Sequence, residues 1–473
     1  MRAIPSRPND ARHPTGPNWT PGAPRERVVQ PDQGRRRRRL ASLGGGCSVL
    51  ALLLAACGST SPAAAKTSSS AVGGSAGAPV TQVTLWESHN GGPVGGAMTA
   101  LVSKFDATHP KVHVSIVVTK ASSKLFAAVA AGDPPVLAEI SHYDGQLVKG
   151  GALVPWNSFF RGSTEVSSSS FVPVAWKNGD VGGQHYRLEA DLKLSEVFYN
   201  KSLFAKAGIT SAPSTWAQLA ADAAAVKAKL PGVIPLGWKN SSAHELPAFL
   251  SDGGTLLKGG NAVGTAVAFD TPAAKQSFSY FRNLYAAGLM QIHHGTTLRE
   301  DFGAGKIAMI DGTSAGYQKA LLSADGKFAV GAFVEPAGST GHAANLGQGL
   351  GFVLPKGHTR TQDEAAWTFV QWWFAPAQQA YWAEQTGFAP ETRAGIAAVP
   401  AAFLRTHPGL VATIAAATSP YTVARPVSDR YAEVQAALDT AWFNAVTGRQ
   451  SVSSALRTLQ QQGDSYMSGA SSL

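Results

Sequence analysis

Cysteine is nearly missing: two residues in 473, Cys47 and Cys57. A disulfide framework and a thiolate metal site are therefore excluded. Charge is also scarce, at 15% Asp, Glu, Lys and Arg, yet hydrophobic residues reach 44%, which excludes a disordered chain. No H-E-x-x-H pair or Gly-rich P-loop is present: His244-Glu245 continues Leu-Pro-Ala, and Pro247 argues against a helix there. Glu300 and Asp301 are adjacent in sequence, so on a helix they diverge and form no acid–base pair. The apolar run Cys47–Ala56 is too short to span a bilayer, which needs about 20 apolar residues.

What is present divides at residue 57. Residues 1–57 hold ten Arg and three acids, so most of the net charge of +10 sits there. The remainder carries thirty basic and twenty-seven acidic residues with no basic stripe, which argues against a nucleic-acid partner. Arg35–Arg39, the apolar run and Leu54-Ala55-Ala56-Cys57 follow the order of a signal peptide with a lipobox. Cys57 is then the lipidated first residue of the mature protein, anchored outside the cytoplasm. Residues 1–34 read as an Arg/Pro-rich extension, with translation expected to begin near Val28 or Val29. Residues 58–80, rich in Ser, Ala, Gly and Thr, read as a flexible tether.

The body opens with Val80–Trp86, a β-branched run that predicts a buried strand. A helix over 95–109, a strand over 111–118, a helix over 124–131 and a strand over 136–140 follow. Such alternation predicts an α/β lobe with a largely parallel sheet. A second set begins at Glu196–Tyr199 and includes helices over 216–229 and 273–287. Further helices are predicted over 363–374, 377–385, 432–446 and 451–462.

Along this pattern stand Phe198-Tyr199-Asn200-Lys201, Pro213-Ser214-Thr215-Trp216, Phe302-Gly-Ala-Gly305-Lys306-Ile-Ala308-Met309, and Trp382-Ala-Glu-Gln-Thr386-Gly387-Phe388-Ala-Pro390. Gly132-Asp133-Pro134-Pro135 and Gly151–Pro155 precede them, and Thr447–Ser451 closes the series. In that order they resemble the bacterial extracellular solute-binding proteins of ABC importers, in the sugar, glycerol-3-phosphate and maltose-type branch. The resemblance implies a two-lobed periplasmic-binding-protein fold of type II, with discontinuous α/β lobes, a hinge and a central ligand cleft. It places lobe 1 at 81–190 and 348–388, and lobe 2 at 191–347 and 389–473. The implied partners are a small-molecule ligand and permease subunits with a separate ATPase. A monomer is expected, with no cofactor, no metal and no catalysis.

Ligand contacts are expected where strands end. Glu87, Ser88, His89 and Asn90 follow the first strand, although Asn90 equally suits a turn cap. Ser141, His142, Tyr143 and Asp144 follow the third; no metal-ligand spacing accompanies His142. At the crossings lie Asp191 and Lys193, then Gly347, Gln348 and Gly349. The resemblance also marks Trp238 beside Asn240 as a stacking platform, Ser314, Phe388 in place of the family's common tyrosine, and Arg425 where the phosphate-ligand branch has an arginine. Trp367, Trp372, Trp373 and Trp382 fall at core spacing. A sugar needs forked polar side chains and aromatic faces. The tryptophans favour a neutral oligosaccharide, while Lys193 and Arg425 favour a glycerol-3-phosphate or glycerophosphodiester ligand. A secreted carbohydrate hydrolase and a sensory domain are the alternatives of other classes.

Overall fold

A computed structural model describes residues 79–89, 91–141, 144–260, 266–293 and 297–469. The signal segment, Cys57, Asn90, His142 and Tyr143 lie outside the described residues. The folded body belongs to one compact unit, beginning at Ser75. No described helix is long and apolar enough to cross a membrane.

The chain forms β1 (Thr81–Glu87), β2 (Val112–Val118), β3 (Leu137–Ile140) and β4 (Leu153–Val154), then a hairpin of β5 (Asp180–Val181) and β6 (Gln184–His185). β7 (Arg187–Glu189) precedes a second series: β8 (Ser195–Asn200), β9 (Ile234–Lys239), β10 (Met290–His293), β11 (Ile307–Thr313) and β12 (Val330–Val334). β13 (Asn345–Leu346), β14 (Gly351–Pro355) and β15 (Thr422–Val423) complete the set.

Two sheets result. The first has the order β2-β1-β3-β14-β4, with β7 also pairing β14. β1 is parallel to β2 and β3, whereas β14 runs against β3, β4 and β7. The second has the order β10-β9-β11-β8-β12. Its β9, β10 and β11 are parallel, and β8 runs against β11 and β12. Because β14 returns to the first sheet after β12 has closed the second, the first sheet is built from separated stretches of chain, whereas the second is the unbroken run β8 to β12.

Each sheet has its own core. Val83, Leu85 and Phe352 pack beneath the helices Gly92–Thr108 and Arg360–Trp373. Trp156, Trp367, Trp373 and Trp382 fill this core too, in keeping with their helical or turn spacing. In the second, Leu236, Trp238 and Met309 meet the helices Pro272–Ala286, Tyr431–Val446 and Val452–Ser468. These helices begin where sequence chemistry says they should. Thr215, Thr271, Thr359 and Ser451 each accept a hydrogen bond from a first-turn amide, which stabilises a helix by about 1 kcal/mol.

One local expectation is corrected. His244 and Glu245 do lie on a helix, Ser242–Ser251, which runs through Pro247. The buried apolar face of Leu246, Phe249 and Leu250 outweighs the amide hydrogen that proline lacks. A zincin-type pair is still absent, because the position four residues after His244 is Ala248.

Candidate functional site at the sheet edges

The first sheet brings two glutamates together. In the parallel pairing of β1 with β3, Leu85 faces Leu137 and Trp86 faces Ala138. Glu87 therefore ends its strand next to Glu139. Both are buried, at 1% and 0% exposure. His89 follows two residues on, and its amide donates to Glu87 Oε2. Its Nε2 stands 3.2 Å from Glu139 Oε2 and 3.5 Å from Asp191 Oδ2. Burial pulls the imidazole pKa down, but Glu139, then Asp191 and Glu87, pull harder and raise it to about 9. Burial pushes the Glu87 carboxyl up. It pushes Asp191 up to about 8, against the pull of Lys193 and of the Leu350 amide that donates to Asp191 Oδ1. Ser88 is half-buried beside this group. Ser141 donates its amide to Ser122 Oγ at 2.9 Å, tying the end of β3 to the helix Ala121–Ala130.

Two chain segments then run side by side from sheet to sheet. Ala190 donates its amide to Leu350 O at 2.9 Å, and Lys193 and Gln348 exchange amide bonds at 2.8 and 3.1 Å. Their close approach requires glycine. A Cβ on Gly349 would collide with Glu189 Oε1 and stand 2.5 Å from Asp191 O, and one on Gly347 would collide with Val174. Arg425 joins them, donating from its amide to Asn178 Oδ1 at 3.0 Å and from Nη2 to Gln348 Oε1 at 3.4 Å.

The second sheet presents the opposite charge. Lys239 ends β9 and Thr313 ends β11, while Lys193 leads into β8. Since β8 is antiparallel to β11, its start shares the edge where β9 and β11 finish. At that edge a cavity of about 250 Å³ is lined by Lys193, Lys239, Arg299 and Lys319, with His244 and Asp311. Burial lowers the Lys319 pKa, and repulsion from Arg299, Lys193 and Lys239 lowers it further. Asp311 Oδ1 accepts from the Lys239 amide at 3.0 Å, and its Oδ2 lies 3.2 Å from His244 Nδ1. Four cations facing one cavity are arranged to meet an anion.

The gathered residues are thus Glu87, His89, Asp191, Lys193, Gln348, Gly349 and Arg425. Three expected contacts go elsewhere. Trp238 is fully buried, with its ring 5.0 Å from Phe281, so it is core and offers no stacking face. Phe388 is 2% exposed and stacks on Trp382 at 5.8 Å, beneath the ring of His89. Ser314 is buried, with its Oγ accepting from the Leu194 amide at 3.4 Å. Glu139, Lys239, Arg299 and Lys319 were missed; the only local signal was a glutamate inside the otherwise apolar strand Val136–Ile140.

Residues 100–410 match the family model for bacterial extracellular solute-binding proteins. The chain belongs to this family. A Brucella abortus protein whose name calls it a binding protein is 27% identical over 223 residues, which cover 44% of this chain and 51% of the relative. The solute-binding protein thus spans about half the length of the curated relatives it matches. Among solved structures, the cyclic alpha-maltosyl-1,6-maltose binding protein from Arthrobacter globiformis has a TM-score of 0.71 at 22% identity, over 82% of this chain and 99% of that one. UgpB from Mycobacterium tuberculosis, in complex with glycerophosphocholine, has a TM-score of 0.71 at 17% identity, over 82% and 98%. The sugar-binding protein MalE from Xanthomonas citri gives 0.72 at 21%, over 82% and 97%. These likenesses establish the two-lobed type II periplasmic-binding-protein fold. The charged edges described above are the edges where open α/β sheets bind ligands.

Proposed function

We propose that this solute-binding protein captures a small hydroxylated solute bearing an acidic group, by closing its lobes, and delivers it to an ABC permease. A glycerophosphate-type ligand is the leading member of that class. The observation that carries this reading is the cavity of about 250 Å³ faced by Lys193, Lys239, Arg299 and Lys319. A phosphate or carboxylate there would accept charge-assisted bonds worth roughly twice neutral ones. Ser88 and Gln348 would serve hydroxyl groups on the opposite side. Closure would follow from contacts that only the closed form makes.

A neutral oligosaccharide is the second reading, because most of the similar solved structures are named for sugars or oligosaccharides. Its weakness here is that the expected platforms Trp238 and Phe388 are core, as is Trp382, among the described residues. We infer that the protein catalyses no reaction, since it belongs to a family of solute-binding proteins, and Ser314, in the G-x-S-x-G run Gly312–Gly316, is buried with its Oγ accepting from the Leu194 amide. Export and anchoring through a lipid on Cys57, at the extracytoplasmic face, complete the proposal. Metabolic fatty-acid labelling lost in Cys57→Ala would support that part.

Thermal unfolding of the full-length protein against glycerophosphodiesters, sugar phosphates, sugar acids and neutral maltosides tests the ligand class. A compound at 100 times its Kd adds about 2.7 kcal/mol. A shift with an acidic compound, lost in Arg299→Ala, is expected. A shift with maltosides alone, unchanged in Arg299→Ala, would overturn it.

A further inference from the structure

The acidic group on the first sheet has more negative charge than a polyol needs. Glu87, Glu139 and Asp191 converge on a single imidazole. One ligand atom each from Glu87, His89 and Glu139 lies within 4.8 Å of the others. The 3.2 Å between His89 Nε2 and Glu139 Oε2 suits donors sharing a cation held at about 2.0–2.2 Å.

The second observation is independent of spacing. Glu139 is 0% exposed; its Oε2 meets His89 Nε2 at 3.2 Å, while its Oε1 accepts no hydrogen bond among the described residues. Asp191 Oδ2, in an equally buried residue, stands 3.5 Å from that same nitrogen. One imidazole thus faces more than one buried carboxylate, and a buried carboxylate oxygen left without a partner is costly. The main chain meanwhile orients the other oxygens. The His89 amide holds Glu87 Oε2 and the Leu350 amide holds Asp191 Oδ1, as outer partners commonly hold metal ligands. The sheet edge thus carries oriented, deeply placed acceptors beside a ring nitrogen that lies 3.2 Å from the nearest of them.

We propose that Glu87, His89 and Glu139, with Asp191 as a fourth donor, form a binding site for a divalent transition-metal ion such as Zn²⁺. One imidazole with carboxylates is a donor set that such ions accept, whereas Mg²⁺ and Ca²⁺ prefer oxygen alone. Asp191 belongs to the segment joining the sheets, so the ion would rest against the hinge. The site stands whether the transported solute is acidic or neutral.

Calorimetric titration of metal-stripped full-length protein with ZnCl₂ alone, and with CoCl₂ followed by visible absorption, tests this. One saturable equivalent is expected, with Co²⁺ bands that Zn²⁺ abolishes. Glu139→Gln and His89→Ala should each weaken binding tenfold or more. His113→Ala, which breaks an exposed His–Asp pair (2.8 Å) on another part of the surface, should leave it unchanged. Binding that is absent, or equal in Glu139→Gln and the parent, would overturn the proposal. Should Glu139→Gln not fold, the partly exposed His89→Ala decides alone. Because no solute is added, failure here leaves the solute reading standing.

Discussion

The two sheet edges are built alike and charged oppositely. Both put strand ends, a short loop and a crossing segment together. On the first edge the charged groups are carboxylates sunk among strands: Glu87 and Glu139 are almost wholly buried. On the second they are long cations, Lys193, Lys239, Arg299 and Lys319, around an open cavity. A short side chain on a strand cannot reach out to water, so its charge must find a partner in place. Lysine and arginine bury their stems and keep the head in solvent. The first edge is therefore rigid and demanding, and the second is adjustable.

The largest effect expected concerns neither edge. Trp238→Ala removes a core ring between Phe281 and Trp216 and should cost about 3–5 kcal/mol of stability. Ligand affinity of the protein that remains folded should be unchanged when measured by titration. A selective loss of affinity with intact stability would return Trp238 to the cleft.

Next comes the basic edge. Hydrogen bonds to charged groups contribute about 1.5–3 kcal/mol. Arg299→Ala or Lys319→Ala should therefore weaken an acidic ligand by tenfold or more, and added salt should weaken the parent's binding. Equilibrium dialysis at low and high ionic strength reads both. An affinity indifferent to salt would break the contrast between the edges.

Gly349→Ala tests the join between them. The added methyl meets backbone and carboxylate, not a flexible tip, so a loss of about 1–3 kcal/mol in denaturant unfolding is expected.

The last test is a pH slope. Burial pushes Glu391 and Glu196 up to about 8, against their hydrogen bonds from the Leu192 amide and Thr413. Unfolded, each would ionise near 4.5. Between these values the folded form holds protons that the unfolded chain releases. Stability should then fall as pH rises from about 4.5 through about 8. Melting temperatures across that range, flattened in Glu391→Gln, would check the sign.

Much of the fold was legible because side-chain period and capping act locally. The helix Trp216–Lys229 and the strand ending at Glu87 fall within a residue of expectation. The helix through Pro247 was not, since tertiary burial decided it. Within the site, Glu87 and His89 are two residues apart, as are Asp191 and Lys193, so neighbours in sequence revealed them. Glu139 comes beside Glu87 only through strand register, and Lys319 reaches Lys239 only through helix placement; neither proximity can be read from sequence spacing, although a glutamate within an apolar strand marks Glu139 itself. Trp238 was misread for a related reason. It adjoins Lys239, but the ring lies in the core while the ammonium lines the cavity, and sequence alone does not say which face is which.

The paired crossing segments have a mechanical consequence. Tied by reciprocal amide bonds between Lys193 and Gln348, they work as a leaf spring. Such a ribbon flexes readily out of its plane but resists one strand sliding past the other. Under the proposed closure, the lobes would share one easy bending coordinate, and each closing stroke would bring the same groups face to face. Selectivity between solutes becomes a question of how far the spring must bend before both edges are in reach.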